Sequence, residues 1–190
     1  MQRTVRRVVV VLVAGAAVAF TGCLMGSQGS QGSQGSQRVT WDLRHTHTKA
    51  DVGWKDSLDS TEIEGPLDVT VLLPGGRTLS AHVVRAAFDA PSGNVLQLVG
   101  VFYAPTSLDD GYSQARKIAQ EWGLDTSGLE EWHQKVQDGR RRGLPDWQEP
   151  FYVNMNGSAL SPGGPTPVCQ VLDSMDHSRP AQLMLSFEWV

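Results

Sequence analysis

The chain has 190 residues, a formal charge of −4 and two cysteines. The acidic balance argues against nucleic-acid binding, because phosphate recognition relies on clustered Lys and Arg side chains. The length excludes the large two-lobed solute receptor of a transporter, which needs two domains of comparable size. The sequence therefore predicts a single folded domain with a real hydrophobic core.

The first 22 residues have the pattern of an export signal. Arg3, Arg6 and Arg7 precede an apolar run from Val8 to Phe20, and small residues follow it. This run is shorter than the about 20 residues that cross a hydrocarbon core as a helix, so a permanent transmembrane span is the weaker interpretation. We expect residues 1–22 to be removed, which changes the formal charge of the chain from −4 to −7.

Thr21, Gly22 and Cys23 end this segment. They resemble the processing box of bacterial lipoprotein signal peptides, in which the cysteine after a small residue becomes diacylated. The paired Arg6 and Arg7 also look like a twin-arginine export signal. The resemblance implies that acyl chains such as palmitate on Cys23 hold the protein at the extracytoplasmic face of the cell membrane. The alternative is an ordinary exported thiol.

Four copies of Gly-Ser-Gln fill Gly26 to Gln37. A tract of this composition cannot bury enough apolar surface to offset its ordering entropy, and as a flexible chain it has a root-mean-square span of about 20 Å. We therefore interpret residues 23–37 as a lipidated cysteine with a flexible linker, and residues 38–190 as a single domain. With Cys23 acylated, Cys169 has no partner for an intramolecular disulfide.

The composition also indicates a source. Twelve arginines against four lysines, with abundant alanine, glycine and valine, are typical of a GC-rich genome. The signal, the linker and the segment Thr106–Asp125 (TSLDDGYSQARKIAQEWGLD) make the chain similar to uncharacterised actinobacterial lipoproteins. This resemblance implies an envelope protein, and none of its motifs carries known chemistry.

Alternation of apolar and polar residues predicts strands in the first half of the domain. The turn signal Pro74–Arg77 separates the second of these strands from the third. The fourth strand is apolar on both faces, which is typical of a central strand. Residues 51–65 are acidic and irregular and predict a loop. We expect the last three strands to be consecutive and antiparallel. The predicted strands are residues 39–47, 67–73, 78–88 and 95–103.

Two helices follow. The first has Ser107 as its N-cap and ends at Gly123. The second begins with a capping-box pattern, Ser127 and Glu130, and is expected to end at Gly139. The apolar stripes at helical spacing are Leu108, Tyr112, Ala115, Ala119 and Trp122 in the first helix, and Leu129, Trp132 and Val136 in the second.

Three further strands are predicted at residues 151–155, 168–172 and 182–189. In the last of them, Met184, Ser186 and Glu188 should point away from the core. Strands, then helices, then strands predict an α+β fold with a mainly antiparallel sheet of about five to six strands and the helix pair packed on one face. The other face is left for solvent or for a ligand.

His45 and His47 are the candidate metal ligands. On a strand, residues two apart point the same way, so two imidazoles could hold a zinc ion together with a third protein ligand. The spacing identifies no third ligand. The alternative is a pair of half-buried or solvated histidines at a strand end, and no other cofactor is predicted.

Two further groups are candidates for binding. Trp54 and Trp147 lie in polar or proline-containing loops, where an aromatic ring could contact a sugar or a partner protein, although core packing is the alternative. Arg140, Arg141 and Arg142 follow the second helix. They could contact lipid phosphates, or they could simply form a solvated helix end favoured by the helix dipole.

Catalytic signals are scarce. Cys169 could be a nucleophile only beside a base, and a small buried side chain is the simpler interpretation. The chain lacks the nucleophile elbow, the H-E-x-x-H helix, the P-loop and the dinucleotide fingerprint. We therefore predict a non-catalytic, lipid-anchored module that binds an envelope protein or a cell-wall component through its sheet face and loops. The alternatives are a metal- or small-ligand-binding lipoprotein using His45 and His47, and an envelope hydrolase.

Overall fold

The computed structural model describes residues 36–91, 93–143, 152–173 and 180–189, which form a seven-stranded sheet and two helices. The strand order is β1-β2-β3-β4-β7-β6-β5. The strands are β1 Gln37–Asp42, β2 Ser60–Leu72, β3 Thr78–Asp89, β4 Leu98–Phe102, β5 Tyr152–Asn156, β6 Thr166–Leu172 and β7 Gln182–Glu188, and the helices are α1 Leu108–Trp122 and α2 Leu129–Arg142.

The sheet is mixed. β1 runs parallel to β2, whereas the other neighbouring strands pair antiparallel. The combination of a sheet with two helices is confirmed, as are three consecutive antiparallel strands and the central position of β4. The expected five to six strands were too few, because all seven segments predicted as strands join the same sheet. Alternation identifies a strand, but it does not identify the neighbour with which that strand pairs.

β1 ends at Asp42 rather than at His47. The reason is local: the backbone N–H and the guanidinium of Arg44 both donate to the Asp42 carboxylate, which draws the chain out of the extended conformation. His45 and His47 therefore lie beyond the strand. The prediction that they share one strand face is wrong.

β2 begins at Ser60, inside the stretch predicted as a loop. Its register with β3 shifts between Glu64 and Leu67, which marks a β-bulge. A Cβ atom at Gly65 would lie 2.7 Å from the backbone nitrogen of Leu67, so the bulge leaves no room for a side chain there. The acidic residues of this segment obscured its alternating pattern.

The half of the β2–β3 hairpin that contains its turn bends over the rest of the domain. The edge of the Trp41 ring on β1 meets Phe88 near the opposite end of β3, with ring centroids 4.9 Å apart. At the hairpin tip, Arg77 Nη2 donates to the Glu121 carbonyl of α1 at 2.7 Å. The buried face of β3 changes along the strand as a result. Leu79 and Val83 are buried in its first half, whereas Ala86 and Phe88, which point to the opposite side of the strand, are buried in its second half.

The first helix has the predicted bounds. The hydroxyl of Ser107 accepts a hydrogen bond from the Asp110 N–H at 3.1 Å, and Gly123 ends the helix with φ of 65°. The left-handed backbone conformation at this position favours glycine, as the sequence indicated.

The second helix differs from its prediction at both ends. Its N-cap is Gly128, and the Ser127–Glu130 capping box is absent because the Glu130 carboxylate accepts from the Tyr112 hydroxyl instead. The helix continues through the buried Gly139 and ends at Gly143. Neither of the two helices described is long and apolar enough to cross a membrane.

Both helices pack on one face of the sheet, α1 against β6 and β7, and α2 against β5. Trp122 meets Phe187 edge-on, with centroids 5.0 Å apart. Gly111 lets α1 approach β7 closely, because a Cβ atom there would lie 3.1 Å from the Cβ of Ala181. One continuous cluster of buried apolar side chains joins the helices, this sheet face and the folded-over hairpin.

Candidate functional site

The two candidate zinc ligands have different surroundings. His45 is exposed in a bend after β1, whereas the half-buried His47 ring stacks on Trp189 with centroids 4.7 Å apart. Burial lowers the pKa of His47, and the nearby Asp51 carboxylate opposes this effect. Among the described residues, no group of three or more His, Cys, Asp or Glu side chains is placed to hold a metal ion. A zinc site at His45 and His47 stays a prediction, but the two residues do not share the strand face on which that prediction was based.

Trp54 is buried, as the core-packing alternative predicts. Its side chain is 7% exposed, its indole N–H donates to Asp56, and the Lys49 Nζ lies 4.1 Å from the ring centroid. The ring therefore has no open face for a sugar, and it fastens the loop before β2. Trp147 and Cys23 lie outside the described residues.

The three consecutive arginines have separate roles. Arg140 forms an ion pair with Asp173 at 2.5 Å, with the two side chains 15% and 0% exposed. It thereby joins α2 to the end of β6 and does not face a lipid surface. Arg141 pairs with Asp138 on the same helix, and Arg142 is exposed. The prediction of one arginine cluster after the helix is wrong, because all three residues belong to the last turn of α2.

Cys169 is a packing residue. Its side chain is fully buried on β6, between Met155 of β5 and Leu185 of β7 in the register of the sheet. Burial raises the pKa of its thiol to about 12, so the reactive thiolate is strongly disfavoured. The simpler interpretation of this residue is confirmed.

A polar cluster joins the two helices. The Asp109 carboxylate accepts hydrogen bonds from His133 Nε2 at 2.9 Å and from Gln137 Nε2 at 3.1 Å. The Tyr112 ring stacks on His133 with centroids 4.1 Å apart, and its hydroxyl donates to Glu130. The hydrogen bond from His133 lowers the pKa of Asp109, so the carboxylate stays charged at neutral pH. These contacts hold α1 against α2.

The sheet face opposite the helices, called here the open face, carries an ordered array of side chains, most of them partly exposed. The register aligns them in three rows that cross β3, β4, β7 and β6. The rows are Asp89, Leu98, Glu188 and Thr166; then Ala87, Gly100, Ser186 and Val168; then Arg85, Phe102, Met184 and Gln170. The outward positions of Met184, Ser186 and Glu188 are those that the alternation predicted.

The middle row is covered by side chains of the rows beside it. Its residues on β3, β4 and β7 are the small Ala87, Gly100 and Ser186, whereas Leu98 stands in the first row and Met184 in the third. A Cβ atom at Gly100 would lie 3.4 Å from Met184 Sδ and 3.5 Å from Leu98 Cδ2, so these two side chains lie over the buried glycine. Ser186 is buried as well, with its Oγ 3.1 Å from Glu188 Oε1. Leu98 and Met184, with Val168 of the middle row, therefore form a partly exposed apolar patch.

The open face is acidic on the side of β2. Glu62 and Glu64 extend the second and third rows onto that strand, next to Asp89 of the first row. Arg85 binds Glu62 at 3.1 Å, and its guanidinium carbon lies 3.9 Å from the centroid of the Phe102 ring. Burial, followed by the charge of Glu62, raises the pKa of Asp89. The open face therefore combines an apolar patch with acidic residues on the side of β2.

The sequence predicted an open sheet face but not the apolar patch on it. Alternation indicates which residues of one strand point outward, whereas the rows depend on the register between strands that are far apart in the chain. The chain matches no protein-family model, no curated protein and no solved structure. The choice of site therefore depends on the geometry and chemistry of these residues.

Proposed function

We propose that this chain is a lipid-anchored protein of the cell envelope whose domain binds another macromolecule through the open face. The observation that supports the proposal is the apolar patch of the open face, formed by the partly exposed Leu98, Met184 and Val168. Exposed apolar surface bordered by polar residues is typical of interaction sites, because burial of that surface by a partner is favourable.

The proposed anchor is compatible with this use of the open face. Ser36, the first described residue, precedes the edge strand β1, and its hydroxyl donates to Asp68 on β2. The apolar patch lies on β4, β7 and β6, away from that edge. A Gly-Ser-Gln linker would keep the domain close to the membrane while leaving the open face accessible.

The anchor is tested by detergent partitioning. We expect the protein from its own host cells to enter the detergent phase of Triton X-114, because acyl chains add about 0.8 kcal/mol of membrane affinity per buried methylene group. The Cys23→Ala protein should stay in the aqueous phase. Equal partitioning of the two proteins would contradict lipidation of Cys23.

Binding through the open face is tested by crosslinking in cells. Wild-type membranes should yield one dominant crosslinked partner, and Met184→Asp should reduce its yield at least tenfold, because a carboxylate in the apolar patch must lose its hydration on binding. Leu58→Asp is the matched control, since Leu58 is 61% exposed in the loop before β2. A Met184→Asp protein that keeps both its melting temperature and its partner would refute this role of the open face.

A further inference from the structure

We infer that two copies of this chain pair through the outer edges of their β1 strands and form a symmetric dimer. The inference goes beyond the proposed function and does not depend on it, because β1 is an edge strand and the apolar patch lies on β4, β7 and β6. Two observations carry it, namely the direction of the backbone groups of β1 and the order of its charged residues.

β1 presents backbone groups that β2 does not use. The Leu43 N–H donates to the Leu72 carbonyl at the end of β2 at 2.8 Å. Since bonding groups alternate in direction along a strand, the odd-numbered residues of β1 point their N–H and C=O groups towards β2. Arg38, Thr40 and Asp42 therefore point theirs away from the sheet, and in the described part of the chain these groups meet no backbone partner. An edge of this kind is a template for one more strand.

The opposite edge of the sheet is partly closed. The Gly157 N–H donates to the Pro167 carbonyl of β6 at 2.9 Å, so the backbone groups of the preceding residue, Asn156, point outward. The Asn156 carbonyl accepts from the Asp125 N–H, in the connection between the two helices, at 2.9 Å. Among the described residues nothing covers β1 in this way, and its six residues contain no proline, glycine or bulge that would protect an edge.

The sequence of β1 is complementary to a second copy of itself. A two-fold axis at Thr40 pairs the two strands antiparallel, with each Arg38 opposite Asp42 of the other copy and Thr40 opposite Thr40. These are the three residues whose backbone groups point outward, so each opposed pair can exchange two hydrogen bonds. The opposed side chains share one sheet face, where pairs of opposite charge and pairs of threonines are favourable.

The side chains of these residues are accessible to a second copy. Arg38 and Thr40 are exposed, and the side chain of Asp42 is 46% exposed. Arg38 lies beside Asp68 in the register of the two strands, but it forms no ion pair among the described residues. The hydrogen bonds from Arg44 lower the pKa of Asp42 to about 2, so this carboxylate is charged at neutral pH.

The other side of β1 adds an apolar contact. Val39 is partly exposed, and in the symmetric pair it lies opposite Trp41 of the second copy, where it loses exposure to water. The two seven-stranded sheets then form one continuous sheet. A contact between two six-residue strands is smaller than the about 1,600 Å² of a standard interface, so we expect a weak dimer.

Sedimentation velocity of the full mature chain carrying Cys23→Ala tests the dimer. We expect the sedimentation coefficient to rise from the monomer to the dimer value between about 5 and 500 µM, as for a weak interface. Thr40→Pro in the same chain should weaken association at least tenfold, because it removes the central outward N–H. An outward position of an edge strand accepts proline, so the melting temperature should stay close to that of the parent chain.

Charge exchange tests the pairing itself. Arg38→Asp and Asp42→Arg should each weaken self-association about tenfold or more, since like charges then face each other twice. An equimolar mixture of the two variants should recover association to within about threefold, because both pairs of the mixed dimer are again of opposite charge. Arg142→Asp, at the exposed end of α2, makes the same charge change as Arg38→Asp and should leave association within about twofold.

Each result decides the inference without deciding the proposed function. A chain that stays monomeric up to about 500 µM would overturn the dimer. Association that survives Thr40→Pro, or that mixing the two charge variants fails to recover, would show that β1 does not form the contact. Crosslinking on the open face uses Met184→Asp, and Met184 lies on β7, so loss of the dimer leaves that test and its outcome unchanged.

Discussion

The Arg140–Asp173 pair shows how one residue can mislead an interpretation from sequence. Three consecutive arginines are typical of an exposed basic patch, yet the Arg140 side chain is 15% exposed and Asp173 is fully buried. The sequence could not indicate this, because the two residues are 33 positions apart and meet only when α2 packs on the sheet. Trp54 is a similar case, a tryptophan in a polar loop that the fold covers.

This pair supports a prediction at the residue scale. Asp173→Ala should lower the free energy of unfolding by about 3 kcal/mol or more, because Arg140 would keep a largely buried charge without its carboxylate partner. Arg141→Ala is the control, since that arginine is 76% exposed in its pair with Asp138 and its removal should cost less than about 1 kcal/mol. Urea unfolding followed by circular dichroism measures both values, and equal losses in the two variants would contradict the difference in burial.

At the scale of elements, the helices were the best predicted parts of the chain. The bounds of α1 depend on local signals, namely the Ser107 cap, the apolar stripe and Gly123. The predicted start of α2 was wrong because Glu130 has a tertiary partner, Tyr112, that competes with the capping box. Local rules therefore succeed where no distant residue offers a better contact.

The contacts of Asp109 predict a pH effect on the helix pair. The folded-state pKa of Asp109 lies below its ordinary value of 3.8, chiefly because His133 donates to the carboxylate. Its stabilising contribution is therefore fully present above that value and is lost as the pH falls below about 4 through the lowered pKa. The wild type should be more stable than Asp109→Asn at pH 6, and the difference should shrink towards pH 2.

Asp110→Asn is the matched control for this effect. It removes a charge from the same first turn of α1 but leaves the contacts of Asp109 with His133 and Gln137 intact. Urea unfolding at a series of pH values measures both variants. A stability difference for Asp109→Asn that stays constant from pH 6 to pH 2, or that Asp110→Asn reproduces, would show that the contacts with α2 contribute nothing.

At the scale of the whole molecule, one apolar cluster connects both halves of the sheet with the helices. The folded-over hairpin takes part in it through Trp41 and Phe88, and the helices take part through Trp122 and Phe187. No part of this cluster can open without exposing the rest. Cooperative unfolding is the expected consequence for a domain of this size.

We therefore predict a single unfolding transition for the mature chain. In urea, tryptophan fluorescence and far-ultraviolet circular dichroism should give the same midpoint, because the described buried tryptophans lie in β1, in the loop before β2, in α1 and in α2 and report on different regions. Asp173→Ala should lower both midpoints together. Separate midpoints for the two probes would show that the hairpin and the helix-covered sheet unfold independently.

The sequence by itself determined the features that depend on neighbouring residues. These are the existence of the seven strands, both helices with the caps of α1, the combination of a sheet with helices and the outward positions of β7, since periodicity, capping and turn chemistry act over a few residues. The tertiary structure alone decided the parallel pairing of β1, the bulge at Gly65, the burial of Arg140 and Trp54, and the apolar patch on the open face. Each of these depends on contacts between residues far apart in the chain, which the spacing of residues along a sequence does not encode.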